Sequence, residues 1–173
     1  MSQLKVNSII PVAGVPTGGG GGIIQILSTT KTDVATISND TFADISGLSL
    51  TITPTSSSSK IYITASLNWN GQNDSYMALN LVRGSTNISQ TTAAANDQRT
   101  STRGGHAETG VWMEDMHVNF LDSPNTTSAT TYKLQWMSAY NSHTLSLNRP
   151  QSNVNANYVI CGTSSFTVME VSA

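Results

Sequence analysis

Ile61, Ile63, Ala65, Leu67 and Trp69 alternate without a break with Tyr62, Thr64, Ser66 and Asn68. A period of two places every second side chain on one face of an extended strand, so one side of this segment meets a core and the other meets solvent. The same period recurs along the chain. Leu48, Leu50 and Ile52 alternate with Ser49, Thr51 and Thr53 until Pro54 stops them, and a Ser56–Ser59 turn follows. Ile24 and Ile26 alternate with Gln25 and Leu27 in an expected first strand. Further strands are expected at Met77, Leu79 and Leu81, at Trp112, Met116, Val118 and Phe120, and at Tyr132, Leu134, Trp136 and Tyr140. Leu145 and Leu147 make a short one; Tyr158 and Ile160, then Phe166 and Val168, close the chain. Residues 84–107 carry little apolar pattern and read as a surface excursion with a short strand near Ile88. No helical stripe of useful length is present.

Short strands joined by polar turns predict an all-β fold, an antiparallel jelly-roll-like β-sandwich. Its last strand is expected to lie centrally in a sheet, because a terminus held in a sheet is tied down on both sides. The sandwich is assigned to residues 23–173. Residues 1–22 form a separate unit, a docking arm followed by the glycine hinge Gly18–Gly22. The arm is too short to bury its own apolar side. Leu4, Val6, Ile9, Ile10 and Val12 are its candidate contacts with a partner, with Lys5 and Asn7 turned outward. Strand addition to a partner sheet is one way for it to dock.

Composition narrows the function. Charged residues are 10% of the chain, against roughly 25% in ordinary soluble domains; Ser, Thr and Asn fill the difference. The net charge of −2 leaves no electrostatic footprint for nucleic acid or an anionic membrane. No apolar run approaches the roughly 18 residues of a membrane span, and Lys5 is followed by no sustained apolar core of a secretory signal. Cys161 is the only cysteine, which rules out an internal disulfide and a cysteine-rich zinc site. These features suit a protein made in a cytosol. Four Asn-x-Ser/Thr triplets, at Asn39, Asn73, Asn87 and Asn125, carry no weight in a chain so rich in these residues.

Candidate chemistry is sparse. The glycines at 18–22 lack the Lys and Ser/Thr of a phosphate loop and run into Ile23-Ile24 instead. His106, Glu108, Glu114, Asp115 and His117 cluster in sequence, but they read as solvated side chains beside a loop, not as a metal site. No Gly-x-Ser-x-Gly elbow occurs, and Glu114 and Asp115 are adjacent, so a strand would point them to opposite faces. The expectation is a non-enzymatic protein with no cofactor and no metal. Trp69, Trp112 and Trp136 are expected in the core or at a subunit interface. Tyr76, Tyr140 and Tyr158 lie near strand ends, where tyrosines can form a shelf for a sugar. The Asn-rich loops at 70–75, 96–106, 141–143 and 151–157 would supply hydrogen bonds to a host cell-surface glycan.

Leu4 to Gly14, then Pro16 to Gln25, resemble the opening of small tail-fibre-like or virion structural proteins of marine tailed phages, especially those of cyanobacteria. The resemblance continues through Phe42–Pro54, Ser57–Ile63 and Leu81–Thr86, thins over 90–110 and resumes in the closing strands. It implies a compact jelly-roll head, a homotrimer in the manner of tumour-necrosis-factor-like heads, with inner-sheet aromatics around a threefold axis. It also implies a virion protein assembled in the bacterial host cytoplasm and held to other virion proteins, of the tail or the capsid, by its arm. The leading expectation is a short tail-fibre or appendage protein contacting a host surface receptor. The alternative is a capsid decoration (cement) protein that binds the phage head through the arm.

Overall fold

The strongest alternation builds the central strand. In a computed structural model, which describes residues 22–92, 100–140, 143–152 and 154–172, Ile61, Ile63, Ala65, Leu67 and Trp69 are all buried on one side of strand β4. Eleven strands lie among the described residues: β1 (Ile23–Lys31), β2 (Ala35–Ile37), β3 (Ala43–Ile52), β4 (Lys60–Gly71), β5 (Ser75–Arg83), β6 (Thr86–Ile88), β7 (Arg103–Ala107), β8 (Glu114–Asp122), β9 (Thr130–Ser138), β10 (Leu145–Leu147) and β11 (Ser164–Val171). The arm, with Leu4, Val6, Ile9, Ile10 and Val12, lies outside the described residues.

The strands form two antiparallel sheets, and the fold is an all-β, jelly-roll-like sandwich. The first sheet runs β1-β11-β4-β10-β2, with β8 along the other edge of β4. The second runs β3-β9-β5-β6, with β7 also on β5. As expected, the last strand is central: β11 sits between β1 and β4. Phe166 and Val168 from β11, Val118 from β8, Leu79 and Leu81 from β5 and Leu134 from β9 meet the β4 side chains in one core. Close packing of this kind leaves few voids, and burial of these side chains is the main favourable term in folding.

The structure assigns the faces of β1 and corrects other expectations. Ile24 and Ile26 point outward, and Gln25 and Leu27 take the partly buried side. The reason is register. Gln25 stands opposite Glu170 and Leu27 opposite Val168, so the inward face of β1 must answer a buried carboxylate. Trp112 is not in the core; it is 67% exposed in the loop before β8, whereas Trp69 and Trp136 are buried. Tyr140 lies beyond the end of β9, and Tyr158 and Ile160 lie in an exposed segment outside any strand. The stretch 84–107 is more than an excursion, since it supplies β6 and β7, both paired with β5.

The outward side of the first sheet carries an apolar row. Ile26 pairs with Met169, Met169 with Tyr62, and Tyr62 with Leu121. Direct antiparallel partners point to the same face, so these four side chains cross four strands side by side. Ile26 is 57% and Leu121 55% exposed. The neighbouring row, Ser28, Thr167, Thr64 and Asn119, is polar and uncharged.

Candidate functional site

One end of the sandwich is organised by three side-chain amides, Asn70 at the end of β4 and Gln72 and Asn73 in the turn after it. Asn70 is fully buried. Its Nδ2 donates to the carbonyls of Thr109 (2.9 Å) and Trp112, and its Oδ1 accepts from the amide of Gln151 (2.8 Å). A single side chain thus holds the loop before β8 and the loop after β10. A buried polar group with all its bonds made rigidifies its surroundings. Gln72 ties in a third segment: its amide donates to the carbonyl of Thr144 (3.1 Å), and its Oε1 accepts from the amide of Thr144 (2.6 Å). Asn73 Oδ1 accepts from the amide of Gly110 (3.0 Å), and the Gly110 carbonyl accepts from Ser152 (2.8 Å). The turn itself is tight. A Cβ on Gly71 would lie 2.5 Å from Ser75 Cβ, so only glycine fits there.

Between these loops lies a cleft of about 450 Å³ lined by Gln72, Asn73, Gly110, His143, Gln151 and Ser152. None of these side chains carries a fixed charge. Tyr140 meets the His143 ring edge-on at 4.7 Å between centroids, and the His143 amide donates to the Tyr140 carbonyl. Tyr140 is 57% exposed. Trp112 stands out on the same loop as Gly110. Ligand sites combine a concave surface with a few placed polar groups and adjoining aromatic area, and this end of the molecule has all three.

The three tyrosines singled out from sequence are not one shelf. Tyr140 adjoins the cleft. Tyr76, on β5, stacks on His106 at 4.7 Å and lines a separate recess with Gly105 and Ser101. Tyr158 is exposed, and no ring contact joins it to the other two among the described residues. Of the four Asn-rich loops, three contribute described residues to the cleft: Gln72 and Asn73, His143, and Gln151 and Ser152; residues 93–99, 141, 142 and 153 lie outside the described residues. The loop at 109–112 escaped sequence reasoning, because Trp112 continues the spacing of Met116 and Val118 and so reads as strand. The acidic and histidine cluster is spread out: His106 lies 3.5 Å from Asp74, and Asp115 accepts from Asn68 (2.9 Å). Among the described residues no group of three or more His, Cys, Asp or Glu is placed to hold a metal.

Comparison with protein-family models and with curated proteins gave no match. The functional reading therefore rests on the chemistry of the chain itself.

Proposed function

We propose that this chain is a non-enzymatic structural protein of a tailed-phage virion, a short tail-fibre or appendage protein. Residues 1–22 anchor it to the particle and residues 23–173 form the exposed head, whose loop end faces a host receptor. The observation that carries the receptor-facing reading is the cleft: an uncharged lining, with Trp112 on the Gly110 loop and Tyr140 against His143 both exposed to solvent. Trp and Tyr are enriched among the residues that carry the energy of binding at contact sites. The phage reading is supported by the resemblance of the arm and early strands. Deleting residues 1–20 is expected to leave a folded head that no longer enters particles; normal incorporation would sink this assignment.

A homotrimer is part of the same proposal, and the outward row of Ile26, Met169, Tyr62 and Leu121 is the surface we assign to contact between copies. The row and its Ser/Thr/Asn neighbour bear no like charges to oppose self-packing. Leu121→Asp, whose side chain is exposed and so leaves the core intact, is expected to convert a trimer to monomer in light scattering. A wild-type monomer, or a trimer indifferent to this change, would remove the row from the account. The same row gives the capsid-decoration reading its support, because a broad neutral sheet face also suits packing on a shell.

A further inference from the structure

Backbone amides fix the orientation of two side chains in the cleft. A backbone N–H can only donate, so Gln72 must turn its oxygen to Thr144 and Asn73 its oxygen to Gly110. Their NH2 groups are therefore left on the other side, and no hydrogen bond engages either NH2 among the described residues. Gln151 repeats the arrangement less tightly, with its Oε1 at 3.4 Å from Ser146 Oγ. His143 Nδ1 is buried and has no partner among the described residues. The loops thus spend their acceptors on holding themselves together and keep donors in reserve.

We infer that the cleft is a binding site for a neutral saccharide, with Gln72 and Asn73 donating to its oxygens and Trp112 and Tyr140 offering faces to its C–H side. A sugar presents many acceptor oxygens and an apolar ring face, and it carries no charge that the uncharged lining would leave unpaired. A long acidic polymer is disfavoured, because the lining contains no Lys or Arg and the protein is net negative. The Asn70 network holds the loops in place before ligand arrives, which lowers the ordering cost of binding. Gly110 forms part of the wall, where a Cβ would make ordinary contact with Ser152 Cβ at 3.4 Å.

This inference rests on the reading of the loop end as the receptor-facing surface, but not on where the protein sits in a particle. The test is saturation-transfer NMR on the purified full chain. The probes are the methyl glycosides of mannose, galactose and N-acetylglucosamine, with galacturonic acid as the charged comparison. At least one neutral glycoside should bind saturably below about 10 mM, a range typical of weak sites. Gln72→Glu and Asn73→Asp keep the oxygen that locks the loop and remove the donor, so each should weaken binding at least about tenfold. Trp112→Ala, at an exposed position, should weaken it similarly with the melting temperature unchanged. Failure of every neutral glycoside, binding of galacturonic acid alone, or binding that survives both Gln72→Glu and Trp112→Ala would overturn the assignment. Such a failure leaves the arm-deletion result untouched, so the two proposals fail separately.

Discussion

Asp122→Ala is expected to lower the unfolding free energy by about 3–5 kcal/mol, the cost of removing one partner from a buried charged cluster. Asp122 ends β8 in the first sheet, almost fully buried, and its partners belong to the second. Arg83 Nη1, at the end of β5, donates to both carboxylate oxygens (2.9 and 2.8 Å). The Tyr132 hydroxyl, on β9, donates to Oδ2 at 2.6 Å. Burial, then the hydrogen bond to Asp122, pushes the Tyr132 phenol far above its usual range, so it remains a donor at every working pH. Alanine at 122 would strand a fully buried hydroxyl and a half-buried guanidinium together. Tyr132→Phe removes only one of three bonds and leaves the ion pair, so it should cost about 1 kcal/mol. Urea unfolding of the two variants checks this. Equal and small losses would mean that the cluster does not tie the sheets.

The second large effect is acid sensitivity from Glu170. This residue of β11 is fully buried at the seam where β1 meets the chain leaving β3. Burial alone would raise its pKa, but donors overcome it. Gln25 Nε2 donates to Oε2 (2.6 Å), and the Thr55 hydroxyl and amide both donate to Oε1 (2.7 Å each). The Ser59 hydroxyl, buried nearby without a well-formed bond of its own, also favours the anion. The carboxyl is held at about 2, against 4.5 when unperturbed. A depressed folded-state pKa means stability that is complete above the unfolded value and lost as pH falls toward the folded one. The window is therefore pH 4.5 down to 2. The full shift would correspond to about 3 kcal/mol, and partial exposure of Gln25 and Thr55 leaves about 2 kcal/mol after screening. Asp44, with hydrogen bonds from Lys133 and Gln135, and Asp33, with a hydrogen bond from Lys31, are also held below the ordinary carboxylate value. Comparison of wild type with Glu170→Gln isolates the one residue: the variant should show a shallower fall in urea midpoint across that window. Parallel curves would contradict it.

Much of the fold was legible because a sandwich asks each strand for the same thing, one apolar face every second residue. β4 and the Phe166-Val168 strand satisfy that demand completely, and both were read correctly. β1 was read as a strand, but which of its faces is buried was not. Local hydrophobicity favours Ile24 and Ile26 inside, and nothing near them in sequence announces that Glu170 needs Gln25. Trp112 misled for a related reason. Its spacing fits a strand, but Asn70 holds its carbonyl and takes the backbone out of register. The polar loops and Tyr140 were visible as candidates. The free NH2 groups of Gln72 and Asn73 were not, since which end of an amide faces a ligand is decided by partners far along the chain.

A reconstruction of purified particles separates the proposed virion appendage, held by its arm, from its alternatives. Density for the 23–173 head is expected at the tail, in few copies and joined to the particle through residues 1–22, with the loop end at Trp112 and Tyr140 facing outward. Heads in many copies over the shell would favour the decoration reading instead, and particles lacking the chain altogether would rule out a virion role.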